Sequence, residues 1–136
     1  MIDLAAALQL VTAAHEQASG LGARVSAAVV DAGGHLVAFG RMDGAEIAGP
    51  TLAVDKAFTA VSQSTSTADL AVLAAPGGPL FGLHANGAGR YVIFPGGIPL
   101  HHDGAIVGGV GVSGGTVEED EACARAAVER WGAGRR

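Results

Sequence analysis

Three groups of residues in this 136-residue sequence have the types and spacing to do chemistry. Lys56 stands six residues after Pro50, in a run whose other members, Leu52, Ala53, Ala57 and Ala60, are apolar and mostly small. Its stem can pack while its ammonium reaches an edge. Two readings follow: a surface lysine that snorkels to water, or an ammonium that lines a cleft and grips a carboxylate as a point charge. Desolvation in such a cleft would lower its pKa and suit it to acid–base or Schiff-base work, which makes Lys56 the candidate catalytic residue. The second group is the turn Phe94-Pro95-Gly96-Gly97, whose adjacent glycines admit backbone conformations closed to other residues. It can cradle an anion with bare amides, and it can equally be a tight crossover between strands. The third is His15. It follows Leu4 by eleven residues, Leu8 by seven and Val11 by four, so at helical spacing it shares their stripe and faces a core or an interface. An imidazole there is either a hydrogen-bonded interior histidine or an axial ligand to a cofactor metal.

Other polar residues carry weaker signals. Arg41 and Asp43 close a hairpin, where they read as a local ion pair, with Arg41 also a candidate for ligand binding. His101-His102-Asp103 has metal-ligand residue types, but neighbours on a strand point to opposite faces and do not share one ion easily, so no metal site is expected. His84 lies in a Gly-rich loop and reads as solvated. The serines lack an elbow motif such as G-x-S-x-G, so nucleophilic hydrolysis has no support. Gly108–Gly115 is followed by an acidic run that would repel phosphate, which argues against a dinucleotide site.

The elements that must position these residues follow from periodicity and turn chemistry. Leu4 to Ala18 reads as an amphipathic helix, with Gly20 and Gly22 as stop signals. Ala23–Val30 and His35–Arg41 form a hairpin across Asp31-Ala32-Gly33-Gly34. A longer helix starts near Pro50 and ends about Gln63, and a short one covers Ala68–Ala75. Pro76–Gly89 holds five Gly and two Pro in fourteen residues and reads as an irregular loop, a candidate lid. Arg90–Phe94, Gly97–His101 and Ala105–Val112 read as three strands. Thr116 with Glu119 has capping-box spacing, opening a last helix to about Trp131. The expectation is one α+β domain over 1–131, with a five-stranded, mainly antiparallel sheet flanked by helices on its faces and a frayed tail at 132–136.

Composition narrows the function. Hydrophobic residues at 49% against 15% charged specify a folded chain, while aromatics at 4% and 22 glycines require a core of small side chains and close backbone approach. With a net charge of −5 and eight Lys and Arg there is no basic stripe for nucleic acid. No stretch is long and apolar enough for a membrane span, so a cytoplasmic protein is expected. Cys123 is the sole cysteine, which excludes an internal disulfide and paired-cysteine metal sites.

Three segments taken together resemble the GlcG/HbpS family, which includes the C-terminal domain of PduO-type proteins and is also called the haem-degrading domain family. They are Val29–Phe39 with Arg41-Met42-Asp43-Gly44-Ala45, then Asp55-Lys56-Ala57-Phe58-Thr59-Ala60, then Phe94–Leu100 followed by Asp103-Gly104 and Gly108–Gly114. The resemblance covers about residues 3 to 130. It implies a profilin-like layered fold, a homo-oligomer and, as in several members, binding of haem or a corrinoid-like ligand. It also implies that Lys56 matches a recurrent family lysine, and it places His15 in the region from which some haem-binding members draw a histidine. The function expected is small-ligand binding: haem or a related tetrapyrrole, with His15 at the cofactor and Lys56, Arg41, Phe94, Pro95, Gly96 and Gly97 around an anionic ligand. Two alternatives stand beside it. One is an enzyme acting on a small carboxylate or carbonyl metabolite with Lys56 as anion grip or proton carrier. The other is an accessory subunit that acts through self-association.

Overall fold

The structure, a computed structural model, describes residues 1–135. A first helix, α1 (Leu4–Leu21), starts where the Asp3 carboxylate accepts the Ala6 N–H at 2.8 Å and stops at Gly22, whose φ of +73° closes the last turn in the left-handed region. It runs through Gly20, so of the two glycines only Gly22 acts as a stop. Two strands follow, β1 (Ser26–Asp31) and β2 (Leu36–Arg41), then α2 (Gly49–Gln63) with Pro50 in its first turn and α3 (Thr67–Leu73) capped by the Ser66 hydroxyl. The last elements are β3 (Gly97–His102), β4 (Ala105–Ser113) and α4 (Val117–Ala133). The Thr116–Glu119 capping box at the head of α4 is formed in both directions. The helix extends through Ala133, and Arg136, the last residue of the expected tail at 132–136, lies outside the described residues.

The four strands make one antiparallel sheet in the order β2-β1-β4-β3. The expected fifth strand, Arg90–Phe94, is absent among the described residues. That segment lies along α2 instead: the Thr59 hydroxyl accepts the Val92 N–H at 3.0 Å, with its own proton shared between the Asp55 carbonyl oxygen at 2.7 Å and the Arg90 carbonyl oxygen at 3.1 Å. The buried Val92 N–H thus finds its acceptor in a side chain and not in a neighbouring strand. Arg90 reinforces the placement, its Nε donating to Asp55 at 3.0 Å while its guanidinium lies over the Phe58 ring. The loop before it folds on itself through short main-chain bonds, Leu80 N–H to Leu73 O at 2.9 Å among them.

Helices α1 and α4 pack together on one face of the sheet, where Leu10, Ala14, Val29, Val110, Val112 and Trp131 form the core. Helix α2 covers the other face, and it lies very close. A Cβ at Gly109 would meet the Ala57 carbonyl oxygen at 2.9 Å, and one at Gly111 would collide with the Ala53 carbonyl. The glycines of β4 are therefore the groove in which α2 rests. In this register Arg41, Ser26 and Ser113 stand side by side at one end of the sheet, and Gly97 starts β3 at that same end. Arg41 and Gly97 are on opposite edges, three strand spacings or roughly 14 Å apart.

Candidate functional site

Lys56 and the Phe94–Gly97 turn converge, as their chemistry suggests they should. Helix α2 carries Lys56 toward the end of β4, where its side chain is wholly buried. The ammonium donates to the Val112 carbonyl at 2.8 Å and to Asp120 Oδ2 at 3.1 Å, and it lies 5.1 Å from the centre of the Phe94 ring. Gly96, at φ +126°, lets the turn fold over it, since a Cβ there would come within 2.8 Å of Nζ. Thr67 fixes the next residue by accepting the Gly97 N–H at 2.9 Å. What Lys56 grips is a carboxylate of its own chain. Asp120, in the first turn of α4, is held in turn by the Gly115 N–H at 2.9 Å and by the positive end of the helix dipole. Burial pushes the Lys56 pKa down and the Asp120 pKa up, while each charge opposes the shift of the other.

Outside the turn a cleft of about 370 Å³ lies between Pro95, Ala68 and the start of α4. Its charged lining is Glu118, Glu121 and Arg125, a negative balance. The Oε2 atom of Glu121 is buried without a hydrogen-bond partner, and burial raises the pKa of that carboxyl. This lining does not suit the small anion that the bare turn suggested.

His15 and Arg41 belong to a different place. A cavity of about 540 Å³ at the far edge of the sheet is lined by His15, Arg24, Arg41, Met42 and Asp43. Helix α1 delivers His15, half-buried, onto β2, where its Nε2 lies 3.0 Å from the Gly40 carbonyl oxygen. A carbonyl only accepts, so Nε2 carries a proton, and in the neutral ring the lone pair is then on Nδ1. Gly40 is required for this, because a Cβ there would lie 2.7 Å from the imidazole. The Met42 sulfur accepts the Val25 N–H at 3.4 Å and supplies apolar wall. The Arg41 guanidinium donates to the Ala45 carbonyl and braces the 41–45 loop; no Arg41–Asp43 ion pair forms among the described residues. Arg24, which the sequence reading passed over, has its guanidinium above Gly44. A lone arginine in a connecting segment gives no sequence signal.

The remaining histidines stay apart. His84 is exposed beside Phe81, and His102 contacts its neighbour Asp103 at 3.4 Å. Among the described residues no group of three or more His, Cys, Asp or Glu is placed to hold a metal ion, and no helix is long and apolar enough to cross a membrane.

Comparison with known proteins meets this geometry. The family model described as haem degrading protein HbpS-like matches residues 2–129. The chain belongs to the HbpS-like family. Its sequence is 41% identical over 120 residues to the corrinoid adenosyltransferase PduO of Salmonella typhimurium, covering 88% of this chain and 36% of that protein. It thus spans about a third of that relative's length. Two solved structures are similar throughout. Protein ORFY of Klebsiella pneumoniae superposes with a TM-score of 0.94 at 36% identity, covering 97% of this chain and 91% of that one. A haem complex of PduOC superposes with a TM-score of 0.91 at 38% identity, covering 95% and 94%. The HbpS-like assignment agrees with the layered α+β fold and with the three sequence segments that suggested it.

Proposed function

We propose that this chain is a haem-binding protein, holding haem or a closely related tetrapyrrole in the cavity at the edge of β2 with His15 as the side chain that reaches the metal. The observation that carries the reading is the imidazole of His15. It is oriented by a main-chain carbonyl through Nε2, which places the lone pair of the neutral ring on Nδ1, and it lines an open, shallow concavity of about 540 Å³. The residues present fit the group. Met42 offers an apolar wall, and Arg24 and Arg41 bring positive charge to an edge where a tetrapyrrole carries carboxylates. Bound there, haem supplies an iron centre, while the chain's own part is to orient the imidazole and to hold the ring. The similarity to the PduOC haem complex over nearly the whole chain supports the reading from outside.

The cavity is open on one side, and the reading includes a second copy of this chain as partner. Leu4 and Leu8 on α1 are 56% and 49% exposed, and Leu36 on the unpaired edge of β2 is 53% exposed, so the two elements that carry His15 and Arg41 also present apolar surface away from the cavity. A cytoplasmic protein that self-associates is the form in which we expect it to act. Titration with haemin, followed by absorbance, tests the proposal. A saturable red shift of the Soret band that is lost or weakened at least about tenfold in His15→Ala is expected. Haemin that leaves the spectrum of free haemin unchanged overturns it.

A further inference from the structure

The HbpS-like cavity contains one cation whose role in the fold is slight. Arg24 lies in the connection between α1 and β1 and is exposed. Among the described residues its guanidinium joins no ion pair. It rests over Gly44, at φ +78°, where any Cβ would collide with Nη1. The 42–45 turn thus leaves room for this side chain at the lip of the cavity that His15 lines. Arg41 already donates to Ala45, and Asp43 is the carboxylate of the lining. The chain as a whole carries −5, so its general field repels an acidic guest. An anion enters such a cavity only if a local cation compensates, and a guanidinium free of other ion pairs presents a planar fork that matches a carboxylate.

We infer that Arg24 is the specificity-determining residue of the cavity: it pairs with a free carboxylate of the bound tetrapyrrole, so that the site selects the acid over its ester. This rests on the haem reading above. The test compares haemin with haemin dimethyl ester, which presents the same iron and ring without the charges, by Soret titration of the full chain. Wild type is expected to bind haemin roughly tenfold more tightly than the ester. Arg24→Met should weaken haemin by about the same factor and leave the ester unchanged, and Arg24→Lys should recover part of the loss. Arg125→Met removes an equal charge outside the cavity and should keep the wild-type preference. Equal affinity of wild type for the two porphyrins, or a parallel loss of both in Arg24→Met, overturns the assignment. Failure of wild type to bind either porphyrin sinks the haem reading itself. If wild type binds, His15→Ala abolishes binding and Arg24→Met still prefers haemin, the Arg24 assignment alone falls.

Discussion

The Lys56 ammonium and the Asp120 carboxylate stand 3.1 Å apart with both side chains shut away from water, and together they tie α2 to the first turn of α4. Removing two charges from water is costly, and the pair stands because each also has a main-chain partner, Val112 O for the ammonium and Gly115 N–H for the carboxylate. The Phe94–Gly97 turn closes over it. This node therefore holds together the end of the sheet on which the turn is built.

Breaking the pair on one side should be far worse than removing it whole. Lys56→Met leaves Asp120 buried and uncompensated, and we expect a loss of about 3–5 kcal/mol in urea unfolding. Lys56→Met combined with Asp120→Leu should recover most of that loss. A double variant no better than the single one would show that the pair is not the origin of the effect.

The α2 groove gives opposite expectations for two glycines. At Gly111 a methyl group would strike the Ala53 carbonyl, so Gly111→Ala should be strongly destabilising, by about 2 kcal/mol or more. At Gly20, inside α1, nothing lies within 4 Å of an added Cβ, and Gly20→Ala should stabilise by about 0.5–1 kcal/mol. Thermal unfolding of both variants reads the sign directly.

Thr59 stands in for a strand partner. Thr59→Val keeps the shape but leaves the buried Val92 N–H without an acceptor, which should cost about 1–3 kcal/mol. Amide exchange at Val92 should accelerate more than exchange within β1. Uniform acceleration would mean global loosening instead.

Cys123 is wholly buried, and burial pushes its thiol up to about 11. The folded state thus keeps a proton that the unfolded state, at the ordinary value of 9.0, gives up. The stability this thiol contributes is complete below pH 9.0 and is lost as pH rises toward about 11. Cys123→Ala should lessen that alkaline decline. Reaction of native protein with a thiol reagent at pH 8 should be slow compared with unfolded protein.

How far the sequence could be read depends on how local each cause is. The Thr116–Glu119 capping box and the Gly22 stop depend on residues within a turn or two, and they are present as the spacing says, whereas the stripe of Leu4, Leu8, Val11, His15 and Ala18 meets the core only through Val11 and Ala18, with Leu4 and Leu8 exposed and His15 half-buried. The meeting of Lys56 with the glycine turn was legible too, because a bare bend beside a poised cation is a pattern of residue types. Its partner was not. Asp120 lies 64 residues on from Lys56, within an acidic run that reads as ordinary helix-dipole chemistry. The failed strand at Arg90–Phe94 has the same origin, since a β-branched, apolar run looks alike whether its N–H groups meet a neighbouring strand or one threonine hydroxyl. Arg41 and the Gly97 turn are likewise separated by the strand order β2-β1-β4-β3, which no local spacing encodes.

The central claim is that the His15 imidazole reaches the metal of a bound haem, and cavity complementation tests it most directly. His15→Gly, loaded with haemin, should lose the wild-type spectrum and regain it when free imidazole is added to fill the vacated space beside Gly40. A His15→Gly protein that shows the wild-type spectrum before any imidazole is added would contradict the claim.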